Sequence, residues 1–462
     1  MDQSIEFNQE LIERYDIAGP RYTSYPTAVQ FHEGFGEEQY RNIALLSNKG
    51  EHLNPLSLYF HIPFCDTVCF YCGCNKIVTK DRQKALPYLD HLYQEMAIQG
   101  ELFDSSRPVT QLHWGGGTPT FLSDAQIIEL MQKTGEHFSL LDNDEGEYSI
   151  EIDPREANAD KVRLLRKVGF NRMSLGVQDF DARVQKAVNR IQTEKETMEV
   201  MDAARDSGFR SISLDLIYGL PFQTVKSFEC TLGKVIDAAP ERLSIFNYAH
   251  LPEIFKPQRR INEEDLPSPA EKLDILKHTI EQLTSAGYVY IGMDHFARPD
   301  DELAIAQRNR TLYRNFQGYS THADCDLVAM GVTSISMVGN SYSQNTKSSD
   351  DYYALLDQGR LPVFRGIELD ADDVLRRDVI NKLMCHFVLD KVEIESQYSI
   401  VFQDYFSREL KELEVMEADG LLESDDSRIQ IKPAGRLLIR NICMVFDRYL
   451  RNQKEKRFSR VI

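Results

Sequence analysis

The sequence predicts an α/β protein whose main body is a full or partial (β/α) barrel. Two observations carry this. Between residue 57 and about residue 296, apolar β-branched runs alternate with amphipathic stretches that carry helix-start signals. Polar residues and glycines then cluster just after the apolar runs, at the end where such barrels bind ligands. The runs lie at 57–64, 110–115, 147–153, 172–178, 211–219, 242–249 and 287–296. Ser123-Asp-Ala-Gln126, Thr193-Glu-Lys-Glu196 and Ser268-Pro-Ala-Glu271 read as capping boxes, the last with proline at the first helical position. Gly169, Gly208 and Gly287 stand where helices should stop. Repeated strand–helix units imply a parallel sheet with right-handed crossovers.

Residues 1–50 open with a weak helix signal and continue as an arm, Arg14 to Pro26. Gly19-Pro20 and Tyr25-Pro26 interrupt any helix there. The arm is expected to be extended, either strapped onto the main domain or serving as a flap over a ligand.

The first run, Leu58 to Phe64 with only His61 polar, reads as a buried strand that ends at Pro63. Cys65, Cys69, Cys72 and Cys74 follow at once. The C-x3-C-x2-C spacing of the first three puts three thiolates on one tight loop, one short of a closed zinc or fully ligated cubane site. An iron–sulfur cluster held by three thiolates keeps one iron open to a ligand. Other readings stay in view. A disulfide framework suits small secreted chains rather than this one. A zinc site needs Cys74 as fourth ligand across an unusually short gap, and four inert cysteines so close together are hard to pack.

At the ends of the later runs stand Gly115-Gly-Gly-Thr-Pro119, then Glu151 and Asp153, Gln178, Asp215, and Asn247 to His250. The glycines are expected to bring backbone N–H groups close to a ligand. Asp153 precedes Pro154 and serves equally well as a cap. His61 is expected to be satisfied in the core and Trp114 to pack. Asp215 lies in a buried run, where a carboxylate needs a partner.

Stretches 292–299, 314–319 and 331–337 mix glycine, aromatics and arginine and are read as loops closing the barrel mouth. After Gly366 the text turns helical. A short hairpin is expected from Gly420-Leu-Leu-Glu423 and Ile429-Gln-Ile-Lys432, with a last helix from Pro433. This winged-helix-like module is read as a lid rather than a nucleic-acid binder, and Arg448 to Arg460 as a solvated helix end. The expected division is an arm at 1–50, a barrel with its closing loops at 51–365 and a helical domain at 366–462.

The chain's 462 residues suit a large domain with a smaller one, and 42% apolar residues suffice for a core. A net charge of −19 excludes nonspecific binding to nucleic acid or anionic membranes, and obliges any anionic substrate to find a local basic pocket. No apolar run reaches the ~18 residues of a membrane span, and the start lacks a basic leader region, so a cytoplasmic location is expected. Cys230, Cys325, Cys385 and Cys443 are expected to be buried.

The cysteine motif with Tyr71 before its third cysteine resembles the signature of the radical S-adenosylmethionine (SAM) superfamily. The flanks, Tyr59-Phe-His-Ile-Pro-Phe-Cys65 and Cys72-Gly-Cys-Asn-Lys-Ile-Val-Thr79, resemble those of the oxygen-independent coproporphyrinogen III oxidases, and the resemblance spans the chain. It favours the partial (β/α)6 form of the barrel. It implies a [4Fe–4S] cluster on Cys65, Cys69 and Cys72 and two SAM molecules. The first SAM would meet Tyr59, Gly116, Glu151 and Ile335. The second would meet Tyr71, Gly117, Thr118, Gln178, Arg190, Asp215 and Ala249. Cys74 is implied to lie beside the cluster with a part in substrate chemistry. The implied reaction is oxidative decarboxylation of the ring A and B propionates of coproporphyrinogen III to the vinyls of protoporphyrinogen IX. A monomer fed by a low-potential donor such as flavodoxin or ferredoxin goes with it. Arg21, Arg298 and Arg314 are the candidate propionate ligands by position. The competing branch, haem chaperones that bind without turnover, typically lacks both the arm and the cysteine matching Cys74.

Overall fold

A computed structural model describes residues 4–50 and 52–452. They fold as two compact units, residues 31–279 with 324–368, and residues 4–30 with 280–323 and 369–452. Each unit thus draws on separated stretches, where the sequence suggested three consecutive blocks.

The larger unit is built on parallel strands β1 (Leu56–Ile62), β2 (Pro108–Gly116), β3 (Glu147–Ile152), β4 (Arg172–Gln178), β5 (Ser211–Tyr218) and β6 (Arg242–Asn247). They lie side by side in chain order. This is the (β/α)6 arrangement. Its crossovers include α1 (Ala85–Gly100), α2 (Asp124–His137), α3 (Ala159–Lys167), α4 (Glu194–Asp206) and α5 (Val225–Ala238). Ser123 and Thr193 form the expected reciprocal capping boxes with Gln126 and Glu196. The box at Ser268 is half made. Its hydroxyl accepts from the Glu271 N–H at 3.2 Å, but the Glu271 carboxylate accepts from the Val225 N–H at 3.0 Å instead.

Strands covered on both faces have few exposed positions, and in β1 only Tyr59 is not fully buried. Trp114 packs as expected, 0% exposed, edge-on to Phe60 and Phe170 at ring distances of 6.2 and 4.9 Å.

Beyond β1 the structure departs from the expected loops. β7 (Asp326–Met330) runs parallel to β1 on its open side, and β8 (Ile335–Val338), β9 (Ser341–Asn345) and β10 (Val363–Glu368) continue antiparallel. The glycine-rich text there marks turns between short strands. A helix at Glu37–Ser47 was also not foreseen, since its N-cap is Gly36 rather than a hydroxyl or acid. Cys325, Cys385 and Cys443 are buried, whereas Cys230 is exposed. In α5 the core face carries Phe228, Thr231, Leu232 and Val235, which leaves Cys230 off that face.

A buried carboxylate fastens the turn after β7. Glu95 of α1, 0% exposed, accepts from the Gly331 N–H at 2.8 Å, Asn345 Nδ2 at 2.7 Å and the Tyr352 hydroxyl at 2.5 Å. Burial nevertheless lifts its pKa to about 7. An acid whose folded pKa exceeds its unfolded value near ~4.3 loses stability as pH rises between the two. Wild-type stability should therefore fall by on the order of 3 kcal/mol between acid and neutral pH from this group alone. Denaturant melts of Glu95→Gln should lack that component of the slope. An identical pH profile would refute the assignment.

The smaller unit contains the arm, with a helix at Gln9–Tyr15 as the sequence hinted, and then a largely non-helical stretch. The arm packs on the C-terminal helices of its own unit. The Tyr22 hydroxyl donates to Asp447 at 3.0 Å and Asn441 Nδ2 to the Tyr15 carbonyl at 2.8 Å. The strap is real in kind, but its partners within the unit are these helices. The run at 287–296 forms a hairpin of Val289–Gly292 with His295–Ala297. Tyr313–Asn315 and Gly318–Ser320 make a second hairpin. Helices at Ala371–His386, Lys391–Tyr398 and Ser407–Ala418 precede the expected hairpin, Leu422–Ser424 with Arg428–Ile431, which a strand at Val388–Asp390 extends. Arg448 is not a solvated helix end. It pairs with Asp370, Asp372 and Asp373 at 2.7–3.0 Å. Residues 453–460 of that basic stretch, and the final Phe458 to Ile462, lie outside the described residues.

Candidate functional site

The cysteine loop is closed at its base. Phe64–Cys65 pairs in parallel with Ile77–Val78, and the Ile77 N–H donates to the Pro63 carbonyl at 2.6 Å. Its tip is tied to the segments that follow β4 and β6. The Phe70 N–H donates to the Val188 carbonyl at 2.9 Å, and Gln258 Nε2 bridges the carbonyls of Tyr71 (2.9 Å) and Ala249 (3.2 Å). His61 supports the third side, accepting from the Tyr59 hydroxyl at 3.2 Å and donating from Nε2 to the Asn75 carbonyl at 3.1 Å. Burial lowers its pKa, so it is neutral, as a histidine satisfied in the core should be.

Each of the three motif sulfurs receives a donor. The Thr118 hydroxyl points to Cys65 Sγ at 3.6 Å, Arg190 Nη1 to Cys69 Sγ at 3.6 Å, with Arg155 Nη2 at 3.9 Å, and the Cys74 N–H to Cys72 Sγ at 3.4 Å. Hydrogen bonding from Cys74 and the charge of Lys76 outweigh burial and pull Cys72 down to about 5. Burial pushes Cys65 up to about 11. A metal centre deprotonates a coordinating thiol outright. Three sulfurs, each with at least one donor, fit a cluster held by three thiolates.

One cavity, about 740 Å³ with its mouth included, joins this loop to the strand ends. Of the residues singled out from the sequence it is lined by Cys65, Cys69, Cys72, Cys74, Tyr71, Gly116, Gly117, Thr118, Glu151, Asp153, Gln178, Arg190 and Asp215. Tyr59, Ala249 and Ile335 are not in its wall. The ring of Tyr59 stacks on His113 with centroids 5.7 Å apart, one layer away, Ala249 follows β6, and Ile335 starts β8, two strands beyond β1.

The glycines do something other than present free N–H groups. Those of Gly117 and Thr118 donate to the carbonyls of Ile62 (2.8 Å) and Phe64 (2.7 Å), and that of Gly116 to Glu151 at 3.1 Å. Close approach is what needs glycine here. A Cβ on Gly117 would stand 2.7 Å from the Phe64 carbonyl oxygen, and Gly116 has a φ of +110°.

Glu151 has 44% of its side chain open, facing the cavity it lines. Burial opposes its ionisation, but His113 at 3.3 Å and the Gly116 N–H outweigh it and hold the carboxyl below its usual range. Asp215 has the partner it required, the Ser174 hydroxyl at 2.8 Å, and burial still raises it to about 6. Asp153 both caps and pairs. It accepts from the Arg155 N–H at 3.1 Å, from Arg155 Nε and Nη2 at 3.0 and 2.6 Å, and from Arg190 Nη1 at 3.0 Å. Those cations overcome burial and depress its pKa. Gln178 stands in the left-handed region at a bulge where β4 meets β5, which turns the chain out of the sheet.

Sequence reading missed Arg155, His113 and Gln258. Arg155 was legible as the first cation after the strand-end Asp153-Pro154. His113 and Gln258 carry no local signal, because their roles depend on neighbours distant in the chain.

Comparison with known proteins agrees with this geometry. Residues 59–235 match the Radical SAM superfamily and residues 369–438 the HemN C-terminal domain. The chain is 56% identical over 462 residues to the oxygen-independent coproporphyrinogen III oxidase of Pseudomonas aeruginosa, covering 100% of both chains. It is 53% identical to that of Escherichia coli, covering 100% of this chain and 99% of the other. The solved structure of coproporphyrinogen III oxidase (HemN) from Escherichia coli, described as a radical SAM enzyme, superposes with a TM-score of 0.91. It is 52% identical and covers 96% of this chain and 100% of that one. Likeness of this extent, centred on three donor-supported cysteines at the end of β1, shows that the chain belongs to the oxygen-independent coproporphyrinogen III oxidases of the radical SAM superfamily.

Proposed function

We propose that the chain converts the ring A and B propionates of coproporphyrinogen III to vinyl groups with loss of CO2, giving protoporphyrinogen IX, and consumes two SAM molecules. The observation that carries this is the three-sulfur loop opening onto a cavity walled by the ionised Glu151, the high-pKa Asp215 and Arg190. When bound, the cluster and SAM supply one-electron cleavage of a sulfonium to methionine and a 5′-deoxyadenosyl radical, which suits an unactivated C–H bond.

Cys65, Cys69 and Cys72 hold the cluster. Glu151 is the fixed anion to which the ammonium of the first SAM is drawn. Asp215 and Gln178 offer hydrogen-bonding groups to the second. Tyr71 packs beside the apolar cluster of Val184, Val188, Leu220, Tyr248 and Ile261, which offers a flat apolar wall to an adenine. Tyr59 and Ile335 act on the first SAM and Ala249 on the second, from outside the cavity wall. Cys74, exposed beside Cys72, acts on the substrate rather than the metal.

Among the described residues no helix is long and apolar enough to cross a membrane. We place the enzyme in the cytoplasm as a monomer supplied by flavodoxin or ferredoxin.

The test is anaerobic reconstitution with iron and sulfide, then SAM, dithionite and coproporphyrinogen III. CO2, 5′-deoxyadenosine and a divinyl product are expected. With Cys74→Ser, the iron content should stay and divinyl product should fall. Retention of a tetrapyrrole with no CO2 would overturn the proposal.

A further inference from the structure

Positive charge is gathered on one sulfur of the cysteine loop. Cys69, 8% exposed, has Arg190 Nη1 at 3.6 Å from its Sγ and Arg155 Nη2 at 3.9 Å. At Cys65 the donor is the Thr118 hydroxyl, and at Cys72 it is the Cys74 N–H, both uncharged groups. The ammonium of Lys76 is spent on the carbonyls of Cys72 and Cys74, at 3.2 and 3.4 Å.

Arg155 is locked in place. It lies in the short turn Pro154–Glu156 that follows β3, and its Nε and Nη2 grip the two oxygens of Asp153 at 3.0 and 2.6 Å. Its backbone N–H donates to the same carboxylate at 3.1 Å, and Arg190 Nη1 shares it at 3.0 Å. Two guanidiniums against one carboxylate leave one positive charge. Their side chains are only 8–18% exposed, so water screens that charge poorly. The neighbouring acids Asp66 and Glu156 both take Arg82 instead, at 2.7 and 2.8 Å, in more open positions. Arg190 with Asp153 alone would be neutral towards the sulfur. Arg155 is the member that makes the group cationic.

Reducing an iron–sulfur centre adds a negative charge to it, so cations and hydrogen bonds at its thiolates favour the reduced form and raise its potential. We propose that Arg155, fixed by Asp153 and acting through Cys69, is a positioning residue that raises the reduction potential of the cluster and so lets a low-potential one-electron donor load it. One electron passes from that donor to iron; no bond forms or breaks and no proton moves. The proposal rests on the cluster ligands assigned above and is independent of the tetrapyrrole.

The full-length protein, Arg155→Met, Arg155→Gln and Arg155→Lys should be reconstituted anaerobically, assayed for iron and sulfide, and titrated by redox-poised electron paramagnetic resonance without SAM or tetrapyrrole. Asp153 keeps Arg190 in every variant, so no buried charge is stranded and iron content should match the wild type. At the poise where the wild type is half reduced, the ratio of reduced to oxidised cluster in Arg155→Met should fall at least about tenfold, which for one electron is about 59 mV. Arg155→Lys, which keeps the charge, should regain at least half of that shift. Arg155→Gln, neutral but able to hydrogen-bond Asp153, should shift as methionine does and reads the same quantity if Arg155→Met does not keep its cluster. An unchanged midpoint in the neutral variants at full iron content would overturn the proposal, and so would a lysine variant as low as they are. Loss of iron from all three would also overturn it, since that marks an arginine that only builds the loop. A wild-type protein that takes up no iron would instead sink the cluster assignment itself.

Discussion

Cys69→Ser is expected to contain no stable cluster and to release no 5′-deoxyadenosine above background. The loop offers only three sulfurs to the cluster, so losing one leaves two, and a serine hydroxyl remains a protonated oxygen where a thiolate is required. Of the three, Cys69 is the most buried and faces the most positive charge, with Arg190 at 3.6 Å and Arg155 at 3.9 Å. Both guanidiniums keep their Asp153 partner in the variant, so the apo fold should survive with a melting temperature near that of the wild-type apoprotein. The contrast with Cys74→Ser makes the experiment decisive. The two sulfurs share one loop, yet only the first substitution should abolish bound iron and sulfide. Full iron content in anaerobically reconstituted Cys69→Ser would remove this residue from the ligand set, and with it the reason for the three-thiolate reading.

Much of this site was legible because barrel chemistry sits at predictable places along the chain. Glu151, Gln178 and Asp215 stand at or near the ends of successive parallel strands, and the structure brings all three into one wall with the cysteines. What local pattern could not show was where backbone donors go. The triple glycine looked like a cradle of free N–H groups, but the donors of Gly116, Gly117 and the following Thr118 are spent on Glu151, Ile62 and Phe64, and the small size of the glycines serves the close approach of two loops. The strands from Asp326 to Glu368 were misread for a related reason. Their glycines and serines break the alternation that marks a strand, and pairing with β1 and with one another holds them extended regardless. The run at 287–296 looked as apolar as the barrel strands, but Gly292, at a φ of +145°, folds it back on itself.

Asp153→Asn should be the most damaging substitution among the cavity residues that do not hold the cluster. Asp153 is 8% exposed and takes four hydrogen bonds from two arginines, including both nitrogens of an Arg155 fork. An asparagine keeps the shape and one acceptor but leaves two guanidiniums buried without compensation. Breaking such a pair from one side typically costs about 3–5 kcal/mol, because the surviving charge stays where it was. The sign of the pH dependence follows from the depressed pKa of Asp153. A carboxylate favoured by the fold contributes its full stability above the unfolded value near ~3.9 and loses it as pH falls through the folded one. Wild type should therefore exceed Asp153→Asn by the whole amount at neutral pH and converge on it in strong acid. Adding Arg155→Met to Asp153→Asn should recover part of the loss by removing one stranded cation, leaving Arg190 as the remainder. Denaturant melts of the wild type, both single variants and the double variant, at neutral and acid pH, measure these differences directly. A neutral-pH deficit that persists unchanged in acid would show that Asp153 acts through packing rather than through its charge.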